Sequence, residues 1–127
     1  MNVFIVELND QPGELARVAE AIARKGIDIT GFSGLTSGGR GMVALMTSDE
    51  GGTRAALSEG GFNAREVEVA TVSLVHEPGT LATAARKLAD AGINVEAAVQ
   101  NGAAGSEVTV AFATDQPARA QGVLGGA

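Results

Sequence analysis

The apolar positions of the chain change period several times, and each change marks an element. Val3 to Leu8 (VFIVEL) is apolar and β-branched, which predicts a buried strand. From Gly13 onward, Leu15, Val18, Ala19 and Ile22 recur at helical spacing, with Arg17, Glu20, Ala21 and Arg24 on the opposite side. Gly26 after Lys25 ends that helix. Ile27 to Leu35 reads as a second strand, weakened by Gly31 and Gly34. Ser37-Gly38-Gly39-Arg40 is a turn, and Met42 to Thr47 is a third strand. Ser48 or Asp49 caps a short helix through Leu57, which Gly60-Gly61 terminates, and Ala64 to Val75 is a long strand-like run. The predicted order is β-α-β-β-α-β.

The pattern then restarts. Pro12 and Pro78 are 66 residues apart, and this offset aligns the remainder without a gap. It superposes Val6 on Val72, Leu8 on Leu74, Gly13 on Gly79, Ala19 on Ala85, Gly26 on Gly92 and Ile27 on Ile93. Core, turn and cap positions coincide, as in two copies of one fold. The expected fold class is therefore α+β: two tandem ferredoxin-like βαββαβ units, residues 1–68 and 69–127, with antiparallel sheets and helices on one face. The equivalent of the first unit's last strand would fall after Ala127, so the second unit is expected to lack it. That leaves the edge of Ala70 to Val75 open. Either the run 64–75 serves both units, or a second chain covers the edge; of the two, a homodimer is expected. Met42 to Met46 is apolar on both faces, so the helix-free face is expected to pack on something, such as a partner chain.

Charge and composition narrow the function. The chain has 127 residues, 45% of them hydrophobic, and a net charge of −6, with no Lys/Arg cluster to neutralise phosphates; nucleic acid is not an expected partner. Without Cys, disulfides and thiolate metal sites are excluded. No signal peptide and no apolar run of membrane-spanning length is legible, so a cytoplasmic protein with no membrane partner is expected.

Candidate chemistry sits at two strand-to-helix junctions, Asn9 to Leu15 and Val75 to Leu81. Pro suits the first turn of a helix, Gly allows close approach to the backbone, and the next N–H groups are free of helical partners. Those donors, from Glu14 and Leu15 or from Thr80 and Leu81, suit a small anion. The bland alternative is a loop that merely turns strand into helix, with Asp10 as its cap. His76 is the only His, and without a second His or Cys no metal site is expected. The Gly-rich segments 38–41 and 102–105 lie between strands and read as hairpin turns, not phosphate cradles. Glu66 and Glu68, alternating with Val67 and Val69, read as a solvated strand face.

Strand, Asp10-Gln11-Pro12-Gly13-Glu14-Leu15, an Ala-rich helix, then Gly26-Ile27-Asp28-Ile29 resembles the ACT domain family. So does Glu77-Pro78-Gly79-Thr80-Leu81 followed by Gly92-Ile93-Asn94-Val95, and together the two stretches span essentially the whole chain. The resemblance implies a non-catalytic regulatory module that binds a free amino acid and needs no cofactor. Its partner would be a metabolic enzyme or regulator. The implied site residues are Asp10, Gly13, Glu14, Leu15 and Asp28 in the first copy, and His76, Gly79, Thr80, Leu81 and Asn94 in the second. Family members that sense serine carry Asn where Asp10 and His76 stand; Asn94 matches their strand residue, and Asp28 replaces it in the first copy. In that arrangement the helix start receives the carboxylate, and Asp28 or Asn94 accepts from the ammonium, where loops of one unit meet second strands of a neighbouring one. Two other functions are compatible with the residues: an oligomerisation or docking domain without ligand, and an acylphosphatase-like hydrolase. The hydrolase would want an Arg in the first loop, and Asn9 to Glu14 has none.

Overall fold

The computed structural model describes residues 1–125. Among them are β1 (Asn2–Asn9), α1 (Glu14–Ala23), β2 (Ile29–Ser37), β3 (Arg40–Thr47), α2 (Glu50–Glu59), β4 (Ala64–Val75), α3 (Thr80–Asp90), β5 (Val95–Ala104), β6 (Glu107–Thr114) and α4 (Pro117–Leu124). The fold is α+β, and the strand ladders are antiparallel. The chain divides into two compact units, residues 2–67 and Met1 with the residues from Glu68 onward. The boundary falls inside β4, so the run 64–75 contributes to both.

In the first unit β3 lies between β2 and β1, with Phe4 opposite Leu45 and Leu45 opposite Phe32. The period-2 alternation of β1 sends Phe4 and Val6 to the helical side. There they meet Val18 and Ile22 of α1, Leu57 of α2, and Val43 and Leu45 of β3. Each such side chain contributes roughly 1.5–3 kcal/mol of transfer free energy. The alternate residues Val3, Ile5, Ala44 and Met46 are buried as well.

The second unit orders its strands β4, β6, β5, and its core gathers Ala70, Ala84, Leu88, Val110, Phe112, Ala120 and Leu124. Each of its later elements begins 66 or 67 residues after its counterpart in the first unit. The hairpin joining β2 and β3 turns on Gly38 and Gly39, both at positive φ (61° and 78°), which only Gly adopts without strain.

Four sequence expectations shift in detail. The helices begin at Glu14 and Thr80, one residue after Gly13 and Gly79, so both prolines lie before the helix and not in its first turn. No side chain caps either start, so Asp10 is not a cap; Asp49 does cap α2, its carboxylate accepting from Gly52 N–H at 2.9 Å. Leu15 and Leu81, the first apolar residues of their stripes, are more than half exposed. Glu66 is no solvated residue: Arg54 and Asn2 hold its carboxylate.

Candidate functional site

The two junctions fold identically. After β1, Gln11 N–H donates to Asn9 O at 2.9 Å; after β4, Glu77 N–H donates to Val75 O at 2.9 Å. Gly13 then sits at φ 92° and Gly79 at φ 90°, and each carbonyl accepts the first helical bond, from Arg17 or Thr83. A Cβ built at either Gly would meet nothing within 4 Å. The left-handed torsion by itself requires Gly here.

The side chains around the two backbones differ. In the first unit the Glu14 carboxylate folds back over the loop and is buried. Asn9 N–H donates to its Oε1 at 3.0 Å, and Arg17 Nε to its Oε2 at 3.1 Å. The Arg17 hydrogen bond, followed by that of the Asn9 backbone, lowers the Glu14 pKa. Arg17 in turn lies 4.0 Å above the Phe62 ring, and its Nη1 donates to Gly60 O at 3.4 Å. Beside this cluster is an open cleft of about 680 Å³ whose charged lining is Glu7, Asp10, Glu14, Arg17 and Arg40. Asn63 lines it too, donating through Nδ2 to Glu7.

In the second unit Thr80 replaces Glu14 and Thr83 replaces Arg17. Their hydroxyls donate to Glu77 O at 3.2 Å and Gly79 O at 3.0 Å. The adjoining cleft, about 400 Å³, is lined by Val72 to Val75 of β4, by Thr80, Thr83, Ala84 and Lys87 of α3, and by Leu124 and Gly125.

The loops thus gather Asp10, Gly13, Glu14 and Leu15 in one place and His76, Gly79, Thr80 and Leu81 in another. Asp28 and Asn94 are exposed, their backbone N–H groups tied to Ser48 Oγ and Asp115 Oδ1. Each lies beyond the far end of its helix, about 15 Å from the loop for ten residues of α-helix, so neither shares a pocket with the loop of its own unit. His76 is exposed, its N–H donating to Ser106 O, and no metal-ligating cluster forms among the described residues. Sequence reasoning passed over three cations: Arg17, Arg40 and Lys87. Arg17 was detectable from its spacing of three residues after Glu14. Arg40 reaches the loop only across strand pairing.

The ACT domain family model matches residues 2–59. The matched span carries both the junction and the hairpin of the first unit, and over it the chain is similar to that family. A search of curated proteins gives no match. Among solved structures the chain is similar to protein BT0572 from Bacteroides thetaiotaomicron, at 21% identity and TM-score 0.83, covering 98% of this chain and 86% of that one. It is also similar to the ligand-free regulatory subunit of aspartate kinase from Thermus thermophilus, at 22% identity and TM-score 0.70, covering 99% and 90%. The corresponding Thermus flavus subunit gives 24% and 0.66, covering 98% and 90%. At these identities the likeness shows the fold. No helix among the described residues is long and apolar enough to cross a membrane.

Proposed function

We propose that the protein is a non-catalytic regulatory module, built of two tandem ACT-like units, that binds a free amino acid and passes the signal to a metabolic enzyme or regulator. The observation that carries this reading is the pair of matching Gly-turned junctions, each opening a helix beside a cleft. The regulatory role of the aspartate kinase subunits that share the fold supports it. Cytoplasmic location and a homodimer belong to the same reading; a second copy would let Asp28 or Asn94 meet a ligand that the loops alone cannot bring to them. A hydrolase has less support, because Arg17, a cation in the first cleft, is committed to Glu14, Gly60 and Phe62.

A thermal-shift screen against the twenty standard amino acids tests the proposal. A ligand at a hundredfold its Kd stabilises by about 2.7 kcal/mol, a shift of several degrees. Failure of every amino acid to move the transition, at concentrations up to tens of millimolar, refutes ligand binding and leaves a docking or oligomerisation domain.

A further inference from the structure

β2 is the outer strand of the first unit, and β5 of the second. Ser37 and Arg40 flank the two-residue turn Gly38-Gly39 and form a hydrogen-bonded pair. Alternation along the ladder gives Leu35–Met42 and Ser33–Ala44 the same pairing. The N–H and C=O groups of Phe32, Gly34 and Thr36 therefore face away from β3, and no described residue bonds them. Every residue from Phe32 to Ser37 is exposed. A row of alternating donors and acceptors is satisfied in full by another strand, which carries the same alternation.

The side chains beside this edge are apolar. Phe32 is 65% exposed and Leu35 77%. Phe32 and Ile29 border a groove of about 220 Å³ with Leu15, Val18 and Ala19 of α1 and Leu45 of β3, and no charged or polar residue lines it. On the opposite sheet face Leu35 is paired with Met42, itself exposed.

The duplicated unit supplies an internal control. Cross-strand partners align Phe32 with Ala98, Leu35 with Gly102 and Met42 with Thr109. Thr30 becomes Glu96, and β5 gains a second register shift, between Gln100 and Gly102. Charge, bulges and short side chains are the means by which an edge strand is kept from pairing. β5 has all three. β2 has one bulge, at its start, and no charged residue from Ile29 to Ser37.

Charge also identifies the occupant. The chain carries a net charge of −6, so two copies repel wherever their acidic surfaces meet. A twofold contact sets a patch against itself, and thus sets any charge on the patch near its own sign. A charge-free strand is complementary to itself in such a contact. Antiparallel pairing of β2 with β2 closes after two copies.

We propose that two copies of the chain pair antiparallel through β2, joining the sheets of their first units in one ladder. Each copy covers the Phe32 and Leu35 side chains of the other and closes its β2–α1 groove. This rests on the homodimer included in the reading above and assigns its surface.

Sedimentation velocity over micromolar concentrations should show a monomer–dimer equilibrium. Hydrogen exchange followed by NMR reads the ladder itself. The Phe32, Gly34 and Thr36 amides should exchange slowly at high protein concentration and faster on dilution. Phe32→Lys should weaken association by about a hundredfold, because like charges then meet across the twofold axis. Ala98→Lys, the same change on β5, should leave association as it is. A protein that stays monomeric overturns the proposal. So does a dimer whose three β2 amides ignore dilution, one that Phe32→Lys leaves intact, or one that Ala98→Lys dissociates. Hydrogen exchange uses the unaltered chain, so it decides the matter even where a variant loses its fold. If an amino acid stabilises a protein that is monomeric, this interface falls and the ligand reading stands. If the β2 amides report a dimer and no amino acid binds, the interface stands and the ligand reading falls.

Discussion

Glu66→Gln should cost stability at neutral pH and nothing in strong acid. Arg54 grips the Glu66 carboxylate with Nε at 2.7 Å and Nη2 at 2.8 Å, and Asn2 Nδ2 adds a third bond at 2.7 Å. Arg54 first, then Asn2, lowers the Glu66 pKa from 4.5 to about 2. At about 1.36 kcal/mol per unit, a shift of this size corresponds to ~3 kcal/mol. The Arg54 side chain is 61% exposed, so solvent screening reduces the effective contribution to ~1–2 kcal/mol. Because the folded pKa is depressed, the unfolded chain binds the extra proton between about pH 4.5 and 2. The contribution is therefore complete above that window and is lost as pH falls through it. Urea unfolding of both proteins, followed by far-UV circular dichroism from pH 7 to pH 2, isolates this carboxylate, since the other acids cancel in the difference. The gap should be ~1–2 kcal/mol at pH 7 and close towards pH 2. A gap that is independent of pH would refute the ionic account and leave only packing.

Two further pairs of substitutions test the junctions and the core. Gly79→Ala should destabilise by ~1 kcal/mol, the cost of an L-residue at φ 90° less the entropy removed from the unfolded chain, and Gly13→Ala, at φ 92°, should match it in the same urea assay. Leu88→Ala empties a fully buried position and should cost ~2–5 kcal/mol, whereas Leu81→Ala, at a residue 55% exposed, should change stability by less than ~0.5 kcal/mol.

The sequence made legible whatever depends on short-range periodicity. β4 runs from Ala64 to Val75, the bounds its β-branched pattern predicts, and Val18 and Ile22 face the core as their spacing requires. Local periodicity cannot tell where an apolar stripe leaves the sheet. Leu15 and Leu81 fit the helical spacing, yet in the first helical turn they stand more than half exposed. Glu66 was misread for a related reason. Its partner Arg54 lies twelve residues away on α2, and no spacing rule connects a strand residue to a preceding helix. Asp28 and Asn94 were grouped with the loops by family resemblance, which names residues without saying whether one unit can hold them together.

The duplication carried more information than either copy alone. At an offset of 66 the two junctions share Pro and Gly, and their backbones agree to within a few degrees at Gly13 and Gly79. With the backbone held constant, every remaining difference is a side-chain difference. Glu14 against Thr80 and Arg17 against Thr83 remove a carboxylate and its guanidinium partner together. Losing only one of that pair would leave the other unsatisfied at the loop, at a cost of about 1–3 kcal/mol. Their joint absence leaves the second junction with satisfied hydroxyls and no carboxylate of its own. A fold that closes one junction with its own carboxylate and leaves the other without one has two inequivalent clefts, so a carboxylate ligand should distinguish them.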